Sequence, residues 1–120
     1  MDIFNLNDVV PFITKDGSEI RELLAYRNSC IRNQTLAEAR LAPGAAITPH
    51  KHLQTEEIYF ILEGDGEIQV GQEFRTVRPN DAIAIPPGEL HQITNTGRVM
   101  LRFLCCCAPG YENDDTVLAN

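Results

Sequence analysis

Three histidines and one glutamate have the residue types and the spacing of a metal-binding site. His50 and His52 are two positions apart, and in an extended chain such residues share a face, about 7 Å apart at Cα. Two imidazoles placed in this way can converge on one divalent ion, with nitrogen–metal distances of about 2.1 Å. The sequence has three histidines, and the third is His91. These residues and Glu57 are the candidate ligands.

Glu57 can meet the histidines only if the chain bends after His52. The interval between them is odd, so one continuous strand would direct Glu57 away from the imidazoles. The largely polar residues 53–56 favour a bend, after which Glu57 can begin a new strand and face the same interior. His91 follows the turn Pro86-Pro87-Gly88 at the start of a later strand. We therefore expect all four side chains to meet at the mouth of a barrel.

Short apolar segments separated by turn residues predict an all-β chain. Gly71-Gln72 lies between two alternating segments, which indicates a tight hairpin of type II′. Strand-length segments with turns at regular intervals indicate a sandwich or a closed barrel. The strands are predicted over residues 18–24, 35–42, 57–63, 66–70, 73–77, 82–85, 91–95 and 99–107.

The length of 120 residues predicts one domain over 1–120, with 1–17 and 108–120 as peripheral segments. The acidic tail is expected to be irregular or to form a cover segment. No segment has the roughly 18 to 20 apolar residues of a membrane span, and the first residues do not read as a signal peptide. Three of the four cysteines are consecutive, from Cys105 to Cys107, which fits a reducing compartment. A cytoplasmic location is therefore expected.

The charge balance bears on partners. The formal net charge is −7, and an acidic surface repels phosphate backbones and gives no reason to expect attraction to an anionic membrane. We therefore expect neither a nucleic acid nor a membrane as a partner.

Residues 57–63, with the sequence EIYFILE, indicate whether the protein forms an oligomer. Tyr59 and Ile61 lie on one face of this predicted strand, and Ile58, Phe60 and Leu62 lie on the other. A strand that is apolar on both faces is covered on both faces. The barrel interior is one cover, and the N-terminal segment or a second subunit is the other. We predict a homodimer.

The residues around the candidate ligands resemble the first sequence motif of the cupin family. That motif has Gly, five residues, His, one, His, four, Glu, six, Gly. Here the fixed positions are Gly44, His50, His52, Glu57 and Gly64.

A second segment resembles the second cupin motif, which has Gly, five residues, Pro, one, Gly, two, His, three, Asn. The sequence has Asn80, Pro86, Gly88, His91 and Asn95 at these positions. Only Asn80 departs from the motif. Asparagine tolerates the left-handed backbone almost as well as glycine does, so we expect the turn to persist. Asn95 is expected to brace the end of its strand.

Resemblance to the cupins implies a jelly-roll β-barrel. It also implies one metal ion held by three histidines and a glutamate, here His50, His52, Glu57 and His91. This ligand set suits Mn, Fe, Co, Ni, Cu or Zn, and four protein ligands leave one or two positions free for a small molecule. The family includes dioxygenases, isomerases, decarboxylases, lyases, sugar-binding regulators and storage proteins, so the fold does not define the function.

Three functional hypotheses follow. The first is a metal-dependent enzyme that acts on a small molecule, of the oxygenase or isomerase type. The alternative is a non-catalytic cupin that binds or senses a small molecule, and the third is a structural or scavenging metal protein. All the histidines are used as ligands, so a general base would have to come from Glu56, Tyr59 or a metal-bound water.

Other side chains have two interpretations each. Tyr59 shares the parity of the glutamate ligand, so its ring either lines a pocket and contacts substrate or packs in the core. Cys105 and Cys107 share one face of a strand, and they either pack in the core or have a redox or pocket role. Arg40 and Arg102 either face the barrel, where they could bind a substrate carboxylate, or point outward into solvent.

Overall fold

The computed structural model describes residues 1–119, and β-strands account for most of its regular structure. Two short 3₁₀ helices cover Leu6–Asp8 and Asn113–Asp115. No helix in the described part of the chain is long and apolar enough to cross a membrane. The strands are β1 Phe12–Ile13, β2 Glu19–Leu24, β3 Thr35–Leu41, β4 His50–His52, β5 Glu56–Glu63, β6 Gly66–Val70, β7 Glu73–Val77, β8 Ala82–Ile85, β9 His91–Asn95, β10 Leu101–Ala108 and β11 Thr116–Leu118.

The strands form two antiparallel sheets that enclose one core. The six-stranded sheet has the order β1-β2-β3-β10-β5-β8, and the five-stranded sheet has the order β11-β4-β9-β6-β7. Along β10 the buried residues alternate with partly exposed ones, as expected for a strand with one face on the core. Both sheets contribute to the core, which includes Ile61 and Phe103 from the first and Ile68 and Ile93 from the second. The prediction of an all-β jelly-roll barrel is confirmed.

Two turns have the backbone that the sequence predicted. β6 and β7 are joined by Gly71-Gln72, and Gly71 has φ +59°. Asn80 is the only non-glycine residue among 1–119 with a positive φ, so Gln72 has a negative one, which identifies type II′. Asn80 itself has φ +77°, so asparagine occupies the left-handed position that the motif gives to glycine.

Asn95 organises the turn between β9 and β10. Its side-chain Nδ2 donates to the carbonyl oxygens of Leu41 and Val99, and its Oδ1 accepts from the backbone of Gly97. Because Val99 is held in this turn, β10 begins only at Leu101 rather than at residue 99. The other strand ends that differ from the prediction do so by one residue.

The C-terminal tail departs from the sequence prediction. We expected an irregular or covering segment, but Thr116–Leu118 forms strand β11, which pairs with β4. Lys15 ties the N-terminal region to this tail, since its Nζ donates to the carbonyl oxygens of Asn113 and Thr116. Two-to-three-residue strands such as β1, β4 and β11 carry no alternation long enough to be recognised in the sequence.

The outer face of the six-stranded sheet holds the two arginines. Arg40 and Arg102 point away from the core, but they are not simply solvated as an outward arginine was expected to be. Both bind Glu38, which is fully buried on this face. On the same face, Ile58 is 49% exposed.

Candidate metal centre

The four candidate ligands come from both sheets. His50 on β4 and His91 on β9 are directly opposed in the five-stranded sheet. His52 lies two residues along β4 on the same face. Glu57 lies on β5, in the six-stranded sheet. The chain changes sheet between β4 and β5, and this change places Glu57 opposite the histidines despite the odd interval.

The bend between β4 and β5 is held by Asp115 of the C-terminal tail. The backbone nitrogen of Gln54 donates to Asp115 Oδ1 at 3.0 Å, and that of Thr55 donates to Oδ2 at 3.1 Å. The backbone nitrogen of Leu53 donates to the Asp115 carbonyl oxygen at 3.0 Å. The tail therefore fixes the segment that aims Glu57.

The four side chains form one compact, buried group. Each offers a donor atom, and these atoms all lie within 4.8 Å of one another. Glu57 Oε1 is 3.3 Å from His52 Nε2 and 3.4 Å from His91 Nε2. None of the four residues is more than 6% exposed. The convergence expected from the sequence is therefore present in the fold.

Each imidazole is oriented through its Nδ1 atom. His50 Nδ1 lies 2.9 Å from the carbonyl oxygen of Thr48, and His91 Nδ1 lies 3.1 Å from that of Glu89. A carbonyl oxygen only accepts, so each of these Nδ1 atoms carries the proton. The neutral rings therefore present unprotonated Nε2 atoms to the centre of the group.

His52 is oriented by the tail. Its Nδ1 lies 3.0 Å from Thr116 Oγ1, and the Thr116 hydroxyl donates to the carbonyl oxygen of Glu112 at 3.1 Å. Because that hydroxyl proton is already used, Thr116 accepts from His52 Nδ1. All three rings thus have the tautomer that leaves Nε2 free for a metal.

At the centre of the group, hydrogen-bond acceptors face one another with no donor between them. Glu57 Oε1 and His91 Nε2 are buried and have no hydrogen-bond partner among residues 1–119. Buried polar atoms without partners are costly, and lone pairs that face one another repel. A divalent cation between them removes both costs, and three imidazoles with one carboxylate are a donor set that transition metals favour. The residues present therefore fit a metal ion.

The electrostatics keep the ligands in their metal-binding forms. Burial raises the pKa of Glu57, whereas hydrogen bonds and positive charge from His52 and His91 bring it to about 2. Neutral rings with unprotonated Nε2 atoms supply neither, so in the neutral group a bound cation takes over this stabilisation of the carboxylate. Burial, followed by repulsion from His91, lowers the pKa of His50 below its usual 6.5. The lowered pKa favours the neutral, metal-binding form of His50.

Cys107 holds the other oxygen of the carboxylate. Its Sγ donates to Glu57 Oε2 at 3.2 Å. Burial, followed by the charge of Glu57, raises the pKa of Cys107, so this thiol stays protonated and remains a donor. With Oε2 engaged, Oε1 is the oxygen that faces the histidines. Cys105 shares the inner face of β10, as the alternation predicted, whereas Cys106 lies on the outer face.

The group borders a cavity between the two sheets. The cavity is small, with about 40 Å³ open to the centres of water-sized molecules, and His50, His52 and Glu57 are among its lining residues. Tyr59 also lines it and is 3% exposed. The Tyr59 ring centroid lies 4.7 Å from that of Phe103. Tyr59 is thus both a cavity residue and a packed core residue.

Sequence reasoning did not single out Asp16 and Tyr111, which also line the cavity. Asp16 Oδ2 lies 3.4 Å from His50 Nε2. The Tyr111 ring packs edge-on against His52, with centroids 5.9 Å apart. In the sequence, Asp16 is recognisable only as part of a turn before Gly17, and Tyr111 only as one residue of the tail. Nothing local indicates that either reaches the centre.

A two-sheet jelly-roll barrel, also called a double-stranded β-helix, that buries three histidines and a glutamate is the arrangement expected of a cupin. The sequence model of the cupin domain family matches residues 37–107, so the chain belongs to the cupin family. An uncharacterised protein of Methanocaldococcus jannaschii is 46% identical over 108 residues, covering 90% of this chain and 86% of that protein. The "oxalate-binding protein" of Thermotoga maritima is 33% identical over 90 residues, covering 75% and 74%.

Solved structures share the fold. A predicted oxalate decarboxylase from Thermotoga maritima has a TM-score of 0.79 at 28% identity, covering 91% of this chain and 99% of that one. The polyketide cyclase RemF from Streptomyces resistomycificus has a TM-score of 0.84 at 23% identity, covering 100% and 86%. The second likeness concerns the fold alone.

Proposed function

We propose that this cupin binds one divalent transition-metal ion through His50, His52, Glu57 and His91. The observation that carries the proposal is the set of oriented acceptors: three imidazoles whose Nδ1 protons are used elsewhere, around a carboxylate oxygen without a donor. The ligand set suits Mn, Fe, Co, Ni, Cu or Zn. When bound, such an ion polarises an oxygen of a small molecule that occupies an open position.

We further propose that the protein is an enzyme that acts on a small molecule at this ion, of the oxygenase or isomerase type. The cavity supports this, because it leads to the ligand group and places Asp16, Tyr59 and Tyr111 around it. In this proposal, Tyr59 contacts the substrate from the cavity wall. The alternative is a non-catalytic binding protein, which the name of the Thermotoga maritima relative favours.

Metal content tests the first proposal. We expect protein purified without a histidine tag to hold about one ion per chain by elemental analysis after loading, and the His50→Ala variant to hold far less. Equal and substoichiometric contents in the two proteins would defeat the assignment. Oxygen consumption, or a change in a pool of metabolites incubated with the loaded protein, then separates the enzyme from the binding protein.

We propose that the protein is a homodimer. The outer face of β5 carries Ile58, which is 49% exposed, with Phe60 and Leu62 partly exposed beside it. The N-terminal segment leaves this residue uncovered, so a second copy is the cover that we favour. Light scattering on a sizing column is expected to give twice the chain mass for the wild type and a monomer for Ile58→Asp.

We propose a reducing, cytoplasmic location on the basis of the thiols. All four cysteines are free, including three consecutive ones on β10. Fractionation of the source cells with an antibody to the protein tests this location.

A further inference from the structure

Asp16 presents one carboxylate oxygen to the metal-proximal end of the cavity. Its Oδ1 accepts three hydrogen bonds, from Thr14 Oγ1 at 2.6 Å, from the Ser18 backbone nitrogen at 2.9 Å and from Ser18 Oγ at 2.5 Å. These bonds fix the side chain. Its Oδ2 lies 3.4 Å from His50 Nε2, which carries no proton when Nδ1 donates to Thr48.

Asp16 lies beside the ligand group but outside it. The donor atoms of the four ligands lie within 4.8 Å of one another, and Asp16 does not belong to this set. Ligands around one ion at about 2.1 Å are separated by at most about twice that distance. Asp16 lines the cavity and contacts the proposed ligand His50, so a molecule that reaches the ion through the cavity passes this side chain. Asp16 Oδ2 is thus placed to accept a hydrogen bond from that molecule.

Apart from the ion itself, the charged side chains around the cavity disfavour an anionic guest. Among the described residues that line it, none is a lysine or an arginine, whereas Asp16, Glu22 and Glu57 are acidic. Glu22 is paired with Arg27 outside the cavity, at 3.1 Å. Glu57 is a proposed ligand of the ion. Asp16 is therefore the carboxylate whose charge a bound molecule would meet, and like charges at close range repel.

The remaining walls are largely apolar. Ile20, Ala37, Ala39, Ile47 and Phe103 line the cavity. Such walls bind an uncharged body and give no hydrogen bond to a carboxylate. The tyrosine hydroxyls of Tyr59 and Tyr111 also line the cavity, but among its described lining residues Asp16 is the one charged group outside the proposed ligands and the Glu22–Arg27 pair.

We propose that Asp16 determines specificity, so that the cavity takes a small molecule with at most one negative charge and with a hydroxyl or N–H donor next to the oxygen that binds the ion. An α-hydroxy carbonyl compound, an enediol and a hydroxamic acid have this arrangement, whereas a dicarboxylate does not. This inference rests on the proposed metal centre. It separates this chain from a protein selective for oxalate, the ligand in the name of its Thermotoga maritima relative.

The experiment compares two probes of similar size on Co²⁺-loaded protein: acetohydroxamic acid, which releases its N–OH proton to buffer on chelation and binds as a monoanion with its N–H donor retained, and oxalate, a dianion without a donor. The d–d absorption of Co²⁺ reports binding of either probe, and each affinity is normalised to that for free Co²⁺. Wild type is expected to prefer the hydroxamic acid. In Asp16→Asn, the Thr14 and Ser18 donors retain the amide oxygen, so the NH₂ group faces the cavity and the acceptor becomes a donor. We expect hydroxamic acid affinity to fall about tenfold and oxalate affinity to rise about tenfold.

Glu56→Gln is the matched control. It removes the same charge next to a proposed ligand, but Glu56 is exposed and does not line the cavity. We expect the ratio of the two affinities to change less than about twofold.

Failure of this inference and failure of the metal centre are distinguishable. Wild type that takes up no Co²⁺ overturns both. Wild type that takes up Co²⁺ but prefers oxalate, or an affinity ratio that Asp16→Asn leaves unchanged, overturns the role of Asp16 and leaves the metal centre standing. If Asp16→Asn does not fold, the order of the two wild-type affinities decides the outcome.

Discussion

Two buried carboxylates lie on strands that both pair with β10, but they face opposite sides of the six-stranded sheet. Glu38 on β3 is 0% exposed on the outer face, and Glu57 on β5 is 6% exposed on the inner face. Burying a carboxylate is costly unless hydrogen-bond donors and opposite charges surround it. The two residues meet this requirement in different ways.

Glu38 is fully provided with donors. Arg40 Nε donates to Oε1 at 2.6 Å, and Arg102 donates to Oε2 through Nε at 2.9 Å and through Nη2 at 2.5 Å. Burial raises the pKa of Glu38, but the two arginines outweigh it, and the net shift is downward. The chain therefore supplies hydrogen-bond donors to both oxygens of Glu38, and neither oxygen is left to bind a ligand.

The described chain supplies a hydrogen-bond donor to only one of the two carboxylate oxygens of Glu57. One thiol donates to Oε2, and Oε1 faces imidazole nitrogens that have no proton to give. Burial alone therefore does not distinguish a structural carboxylate from a functional one. What distinguishes them is whether the chain supplies the donors, and at Glu57 it leaves a place for a cation.

The largest expected effect is a loss of metal affinity, and it distinguishes Glu57 from Glu38. Glu57→Gln removes a proposed ligand, so Co²⁺ affinity should fall by more than the roughly 100-fold that an outer-shell change can cost. Because the amide can donate to a neighbouring imidazole nitrogen, the metal-free variant should be as stable as the wild type or more stable. Co²⁺ titration and thermal unfolding with and without the ion measure both quantities. A Glu57→Gln protein that binds Co²⁺ within tenfold of wild type contradicts the assignment.

Glu38→Gln should give the converse result. The variant removes the buried charge partner that Arg40 and Arg102 share, although Arg102 keeps Glu63 at 3.7 Å. Breaking a buried pair typically costs about 3 to 5 kcal/mol. Because the side chains of these arginines are 25% and 28% exposed, we expect about 2 kcal/mol of lost unfolding free energy, with Co²⁺ affinity unchanged. Urea unfolding measures the loss. Glu63→Gln, at the exposed end of the same cluster, is the control and should change stability by less than about 0.5 kcal/mol.

The pH dependence of the same variant sharpens the contrast. The pKa of Glu38 in the folded protein lies below its usual 4.5. The unfolded chain therefore binds the proton more readily, so the contribution of Glu38 is present above about pH 4.5 and is lost as the pH falls. Glu38→Gln should lack this part of the acid-induced loss. A variant that loses stability below pH 4.5 as steeply as wild type would show that Glu38 contributes none of it.

Sequence reasoning succeeded for the parts of this comparison that have a local pattern. The histidine pair, the turn at Asn80 and the alternation along β10 are written in short segments, and the fold has them as predicted. It failed for contacts between distant segments. Glu38 lies between alanines in the TLAEARL segment, where nothing indicates that it would bind Arg102, 64 residues away. Likewise, nothing in the acidic tail indicates a strand beside β4.

The tail contact gives an intermediate effect. Thr116→Val keeps the shape of the side chain but removes the acceptor for His52 Nδ1, so the ring loses the partner that fixes its tautomer. Changes of this kind typically cost about 10- to 100-fold in metal affinity, and we expect about tenfold here. Co²⁺ titration measures it. Val117→Ala, the neighbouring change on the exposed side of β11, is the control, and equal affinities for the two variants would show that the tail does not act through His52.

The smallest effect concerns the one donor that Glu57 has. Cys107→Ala removes the thiol that engages Oε2, so the carboxylate is less strongly held with Oε1 toward the histidines. A thiol is a weak donor, so we expect Co²⁺ affinity to fall only about threefold. Cys107→Ser restores a donor and should restore the affinity, which a loss of packing alone would not predict. Cys105→Ala removes the same atom two residues away on the same face, and an equal loss there would indicate that packing, rather than the bond to Glu57, is responsible.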